Sequence, residues 1–159
     1  MHTHNPSKPT NHFGPERAAV YDAQAAKTTA GHSGMYELVA AALAVEVTKP
    51  GASLLFVGIG TGTELLPVVN YGAPGWHFTG VDPSADMLAV AERRVATEGL
   101  GARTRLHACE LHALPPGPPF DGASMIGVLK QAHLVSPHLL FAAAQFKVFL
   151  TRYDPAAAE

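Results

Sequence analysis

Cysteine is nearly absent from this 159-residue chain. Cys109 stands alone, so no intrachain disulfide is possible. That economy fits a reducing compartment, and a cytoplasmic location is expected. Charge is scarce too, at 15% of residues, and 11 Lys and Arg against 13 Asp and Glu give a formal net charge of -2. No broad electrostatic pull toward nucleic acid follows from that balance, although Arg93, Arg94, Arg103 and Arg105 lie close enough in sequence to form a local basic patch. No apolar stretch reaches the roughly 20 residues of a membrane-spanning helix. The N-terminal segment has no apolar run of the secretory kind. What is abundant is apolar: 47% of residues are hydrophobic, the composition of a globular chain. The length suggests one domain.

Residues 1–15 are rich in His, Pro, Asn and Thr and read as a disordered arm, which leaves 16–159 as the domain. His2, His4 and His12 in that arm read as a solvated tail rather than a metal site. Alanines predict a helix over 16–27, broken by Gly31 and Gly34. A second helix is expected over about 35–47, with Leu38, Val39, Leu43 and Val47 at helical spacing, stopped by Lys49-Pro50-Gly51. The apolar run at 52–57 is too short for a helix and reads as a buried strand. Helical pattern resumes at 63–69, with Pro67 as a defect near its middle or end. Strands are expected at 76–81, 103–108 and 121–129. Between the first two of these lies a helix over 85–97, capped by Ser84 and striped by Met87, Leu88, Ala91 and Val95. Strands alternating with helices predict an α/β fold, a mostly parallel open sheet with helices on both faces.

The informative feature joins the first two strands. Gly58, Gly60 and Gly62 form G-x-G-x-G between a strand and a helix, and Asp82 follows at the end of the next strand. Glycine lets a ligand approach the backbone or permits a positive φ. An acid at this strand end can accept hydrogen bonds from both hydroxyls of a ribose. A dinucleotide fingerprint requires the third glycine at 63, where this chain has Thr63. A P-loop is excluded because no Gly-Lys-Ser/Thr follows. The loop suits an adenosine-containing ligand that lacks a pyrophosphate and brings an amino-acid moiety to the glycines.

Four segments, LLFVGIGTGTELLPV, FTGVDPSADMLAVAERRV, RLHACELHALP and FDGASMIGVL, occur in an order and at a spacing that resemble the class I S-adenosylmethionine-dependent methyltransferases. The resemblance covers residues 21–129 and implies a Rossmann-like fold with S-adenosyl-L-methionine as cofactor. It implies that Gly58, Gly60, Thr61 and Gly62 cradle the methionine part and the ribose edge. Asp82 would bind the ribose hydroxyls, Pro83, Ser84 and Met87 would line the adenine side, and Glu110 with Leu111 would sit near the adenine amino group. Residues 16–50 resemble lid helices, in which Tyr21 or His32 would close over cofactor or substrate. The chain departs from the family at Phe56, where many members carry an acid that meets the cofactor's ammonium group; Glu64 is the candidate substitute.

Measured against the seven strands of that family the fold is expected to be incomplete, since four strands can be placed. Residues 130–159 read as a divergent segment, with a helix over 137–150 or a fifth strand within FKVFL. Either the tail differs from that of its relatives through truncation or a frame shift, or a partner, such as a second copy, covers the open sheet edge. The expected activity is methyl transfer to a small-molecule acceptor, with tRNA or protein acceptors as variants. The competing readings are a non-catalytic cofactor- or partner-binding domain and, disfavoured by Thr63, a nicotinamide-dependent oxidoreductase. Positioning supplies most of the protein's part in methyl transfer, so no dedicated base is required. Tyr21, His32, Lys130 and His133 are the acceptor-side candidates, and the catalytic residue stays unassigned. His107, Cys109 and His112 form H-x-C-x-x-H, but His112 falls beyond the strand that carries the other two, so no metal site is expected.

Overall fold

The computed structural model describes residues 13–126 and the backbone of a strand at 147–149. Two helices open it, α1 (Pro15–Thr28) and α2 (His32–Glu46). The alternating units β1 (Ser53–Val57), α3 (Leu65–Tyr71), β2 (His77–Val81), α4 (Ala85–Thr97) and β3 (Thr104–His107) follow, then β4 (Gly122–Met125) and β5 (Lys147–Phe149). The sheet order is β3-β2-β1-β4-β5. β1 pairs in parallel with β2 and with β4, β2 pairs in parallel with β3, and β5 joins β4 antiparallel. The chain order reverses at β1, so the C-terminal ends of β1, β2 and β4 border the crevice where ligands bind in such sheets.

One face of the sheet carries the main core. Leu54 and Phe56 of β1 and Phe78 of β2 pack there with Leu43 of α2, Leu65 and Val68 of α3, and Leu88 and Val95 of α4. On the other face Leu55, Val81 and Ala123 meet Leu111, Leu114 and Phe120 of the β3–β4 connection. Helices on that second face, expected from sequence, lie outside the described residues.

Several expectations are corrected. Gly34 does not break α2; the helix starts at His32, after Gly31 in the left-handed region at φ 69°. Leu38 is 66% exposed, whereas Met35, Val39, Ala40 and Leu43 form the buried face. Pro67 is no defect, because it sits in the first turn of α3, where its missing N–H has no intrahelical partner to lose. Of the two readings of the tail, residues 147–149 follow the fifth strand within FKVFL and not a helix there, while β4 ends at Met125, short of the expected 129. Asp121 ties the start of β4 to β1: its N–H donates to the Ser53 carbonyl at 2.8 Å and its Oδ2 accepts from Ser53 N–H at 2.9 Å. At the N-terminal boundary, Pro15 already begins α1 and Phe13 packs edge-on against Tyr21, so the expected arm loses its last three residues to the packed domain.

Candidate functional site

The glycine loop folds back over the end of β2. Gly58 and Ile59 both donate to the Val81 carbonyl, at 2.8 and 3.2 Å. The φ angles of Gly58, Gly60 and Gly62 are 69°, 55° and 75°, a region that side-chain-bearing residues enter only with strain. This bend brings Gly60 N–H to Asp82 Oδ2 at 3.0 Å, while Ser84 N–H donates to Oδ1 at 2.8 Å. Each carboxylate oxygen therefore keeps acceptor capacity for one further donor. Burial pushes the Asp82 carboxyl up from its ordinary pKa, opposed by those two N–H bonds. Ser84 Oγ accepts from Met87 N–H at 3.2 Å, capping α4, and donates to the Phe13 carbonyl at 2.8 Å.

A cleft of about 560 Å³ opens beside this bend. Of the residues expected to bind cofactor, Gly58, Gly60, Asp82, Pro83, Ser84, Met87, Glu110 and Leu111 line it, as does the lid candidate Tyr21. Three residues fall elsewhere. Thr61 is 2% exposed and faces a smaller cavity of about 40 Å³. Gly62 lines neither space; a Cβ there would meet Ala91 of α4 at 3.3 Å, so its lack of a side chain serves loop–helix packing. His32 stacks edge-on against Tyr36 with ring centroids 5.0 Å apart, and lines neither space. Lys130 and His133 lie outside the described residues. Phe13, Cys109, Met125 and Ile126 also line the large cleft. Sequence reasoning missed them, and the one available signal was that β4 must end next to β1.

A polar network with no sequence signal locks α1 to the loop. Asp22 Oδ1 accepts from Thr61 Oγ1 at 2.5 Å and Thr63 Oγ1 at 3.1 Å, and Oδ2 accepts from Arg94 Nη2 at 2.6 Å. Arg94 Nη1 donates to the Thr61 carbonyl at 2.9 Å and to Thr63 Oγ1 at 2.7 Å. Burial raises the Asp22 pKa, but the bonds from Thr61 and Arg94 outweigh it and hold the carboxyl below its ordinary range. Arg94 is thus engaged internally. Arg103 donates to the Trp76 carbonyl and lies over the Phe78 ring, so two of the four arginines of the expected basic patch are taken up by the fold.

Glu64 immediately precedes α3 and is 4% exposed. Its Oε2 accepts from Ser124 Oγ of β4 at 2.8 Å. Burial pushes its pKa up to about 7, opposed by the Ser124 bond. Burial, and next the negative charge of Glu64, push the Tyr36 hydroxyl up as well. Glu64 lines the smaller cavity with Tyr21, Tyr36, Gly58, Gly60 and Thr63. His112 pairs with Glu110 at 3.4 Å, both well exposed. Among the described residues no three His, Cys, Asp or Glu side chains are grouped to hold a metal ion, and no helix is long and apolar enough to cross a membrane.

A family model described as a methyltransferase domain matches residues 55–151. No curated protein matches the sequence. Among solved structures, a protein of Methanococcus maripaludis described as an S-adenosyl-L-methionine-dependent methyltransferase superposes with a TM-score of 0.61 at 18% identity. That match covers 82% of this chain and 56% of that one. Magnesium protoporphyrin IX methyltransferase of Synechocystis PCC 6803, solved with bound S-adenosylhomocysteine, has a TM-score of 0.52 at 25% identity, covering 63% of this chain and 44% of that one. The first likeness speaks for the fold alone. The chain spans about half the length of the solved structures it matches.

Proposed function

This chain belongs to the methyltransferase-domain family, and from that premise we propose that its larger cleft binds S-adenosylmethionine for methyl transfer to a small-molecule acceptor. The observation that carries the proposal is the 3.0 Å hydrogen bond from Gly60 N–H to Asp82 Oδ2. It sets a carboxylate and a bare stretch of backbone on one wall of a deep cleft.

The residues present suit this cofactor. About 560 Å³ falls within the roughly 300–1,000 Å³ of small-molecule sites. Asp82 retains one acceptor position on each oxygen for a pair of ribose hydroxyls. At Gly60, where φ is 55° and a side chain would be strained, an added Cβ would come within 3.3 Å of Met87 Cε on the cleft wall. Pro83, Met87 and Leu111 offer apolar surface to an adenine ring, and Glu110 an acceptor for its amino group. When bound, the cofactor supplies an electrophilic methyl group on a cationic sulfur. The chain's own part is to hold and orient the reactants. Tyr21 lines the same cleft, and burial raises its pKa, so its hydroxyl stays protonated and can donate to an acceptor substrate.

The relative solved with bound S-adenosylhomocysteine supports the choice of cofactor, and the small molecule in its name supports the acceptor class. A cytoplasmic location, consistent with the single thiol Cys109, and a second copy along an open sheet edge belong to the same reading. Calorimetric titration of the full chain with S-adenosylmethionine, S-adenosylhomocysteine and NAD tests it. The first two are expected to bind and NAD is not. Binding of NAD alone would overturn the proposal. Cofactor binding with no turnover across a panel of small acceptors would replace methyl transfer with a purely binding role.

A further inference from the structure

α1 has little apolar surface to hold it in place. Ala18 is its one buried residue, whereas a helix in a folded domain usually owes its position to a buried apolar face. Its polar ties are specific by contrast. Asp22 accepts hydrogen bonds from Thr61, Thr63 and Arg94, and Ser84 Oγ donates to the carbonyl of Phe13 just ahead of the helix. Burial works against the charge on Asp22, yet the bonds from Thr61 and Arg94 hold its carboxyl below the ordinary range, so the pair is ionised.

This network lies behind the cleft. Asp22 and Arg94 line neither the large cleft nor the smaller cavity. Two of its members nevertheless sit one residue from a group that lines the cleft: Asp22 follows Tyr21 in α1, and Thr61 follows Gly60 in the loop. Arg94 of α4 spans the two, with Nη2 on Asp22 at 2.6 Å and Nη1 on the Thr61 carbonyl at 2.9 Å and Thr63 Oγ1 at 2.7 Å. A guanidinium holds its nitrogens in a rigid planar fork, so a side chain from a third element fixes both walls. Resting on the cofactor reading above, we propose that Asp22 and Arg94 are positioning residues: their ion pair sets the spacing between Tyr21 of α1 and Gly60 of the loop, and through it ligand binding is coupled to the docking of α1.

Such coupling is reciprocal. A ligand that touches both walls binds better when α1 is docked, and in return it holds α1 docked. Removing the charge of Asp22 leaves the partly buried Arg94 guanidinium without its counter-ion, whereas neutralising both members leaves no uncompensated charge. The effects of the two changes are therefore not additive. The sheet does not depend on the network, because among the described residues none of α1 belongs to the main core that packs Leu54, Phe56 and Phe78. Losing the ion pair loosens α1 and leaves β1 and β2 packed.

Calorimetry and amide hydrogen exchange on the full chain decide the matter, with S-adenosylhomocysteine as ligand and Asp22→Asn, Arg94→Gln, the double variant and Arg94→Lys beside wild type. In wild-type protein the ligand is expected to slow exchange of the α1 amides at least about tenfold. Asp22→Asn and Arg94→Gln are each expected to lose about 3- to 30-fold in affinity and to exchange faster in α1, with β1 and β2 as in wild type. The double variant is expected to lose no more than either single one. Arg94→Lys keeps the charge, but one nitrogen cannot serve both Asp22 and the loop, so its affinity is expected to fall between wild type and Arg94→Gln. Wild-type affinity in both single variants, or losses that add in the double variant, overturns the positioning role and leaves the cofactor reading standing. So does a loss matched by equally faster exchange in β1 and β2, the mark of a merely structural role. Failure of wild-type protein to bind the ligand overturns both. Should Asp22→Asn not fold, Arg94→Lys still decides: affinity and α1 exchange equal to wild type there overturn the positioning role.

Discussion

Asp82→Ala is expected to weaken S-adenosylhomocysteine binding by about 1.5–3 kcal/mol, roughly 10- to 150-fold, because hydrogen bonds to a charged acceptor are of that strength. Two losses combine. The ligand's hydroxyls lose their acceptor, and Gly60 N–H and Ser84 N–H lose theirs, which loosens the bend between β1 and α3. Asp82→Asn separates them: the amide oxygen can still accept one of the two N–H bonds, so this variant is expected to keep more of the affinity. Calorimetry, with circular dichroism confirming that each variant is folded, reads both. Affinity within twofold of wild type in Asp82→Ala would remove this carboxylate from the site.

Trp76→Ala acts at the other end of β2, and on stability rather than binding. Trp76 is 1% exposed and its Nε1 donates to the Lys49 carbonyl at 3.0 Å. Gly72 lies directly against the ring, where an added Cβ would come within 2.5 Å of Cε3. No neighbour can readily fill the space that alanine would leave. A loss of about 3–5 kcal/mol is expected, a large part of the roughly 5–15 kcal/mol that holds such a domain together. The urea midpoint followed by far-ultraviolet circular dichroism measures it. Asp82 lies about 20 Å along the strand from Trp76, so the folded fraction of this variant is expected to retain ligand affinity. A midpoint close to wild type would show that the ring is not the packing element its burial indicates.

The parts of the fold that were legible in the sequence are those written in local contrast. The run Leu54-Leu55-Phe56, set between Pro50-Gly51 and the glycines, can only be a buried strand, and it is one. Ser84 followed by Met87, Leu88, Ala91 and Val95 marks both the cap and the buried face of α4. In α2 apolar residues occur all round the helix, so periodicity alone does not pick out its buried face. Leu38 and Val39 are equally apolar neighbours, and only the sheet decides that Val39 faces inward. Gly34 reads as a breaker on propensity alone, and tertiary packing overrides that propensity.

The site was legible in the same uneven way. Gly60 and Asp82 could be paired because strand ends in an alternating sheet are brought to one rim. The Asp22–Arg94 ion pair spans 72 residues, and no periodicity links its members. Glu64 reads in sequence as an acid complementing a helix dipole. Its burial against Ser124, 60 residues away, comes from the parallel pairing of β1 with β4. That pairing turns an ordinary surface acid into a buried one beside the smaller cavity.

Adenosine is proposed to lie between the glycine bend and Asp82. Amide-resolved NMR titration of the full chain with S-adenosylhomocysteine tests that placement most directly. The largest shifts are expected at the N–H groups of Gly58, Gly60, Asp82, Met87 and Leu111, which border one cleft, while those around Trp76 stay in place. Shifts clustered elsewhere, with these five unmoved at saturation, would contradict it.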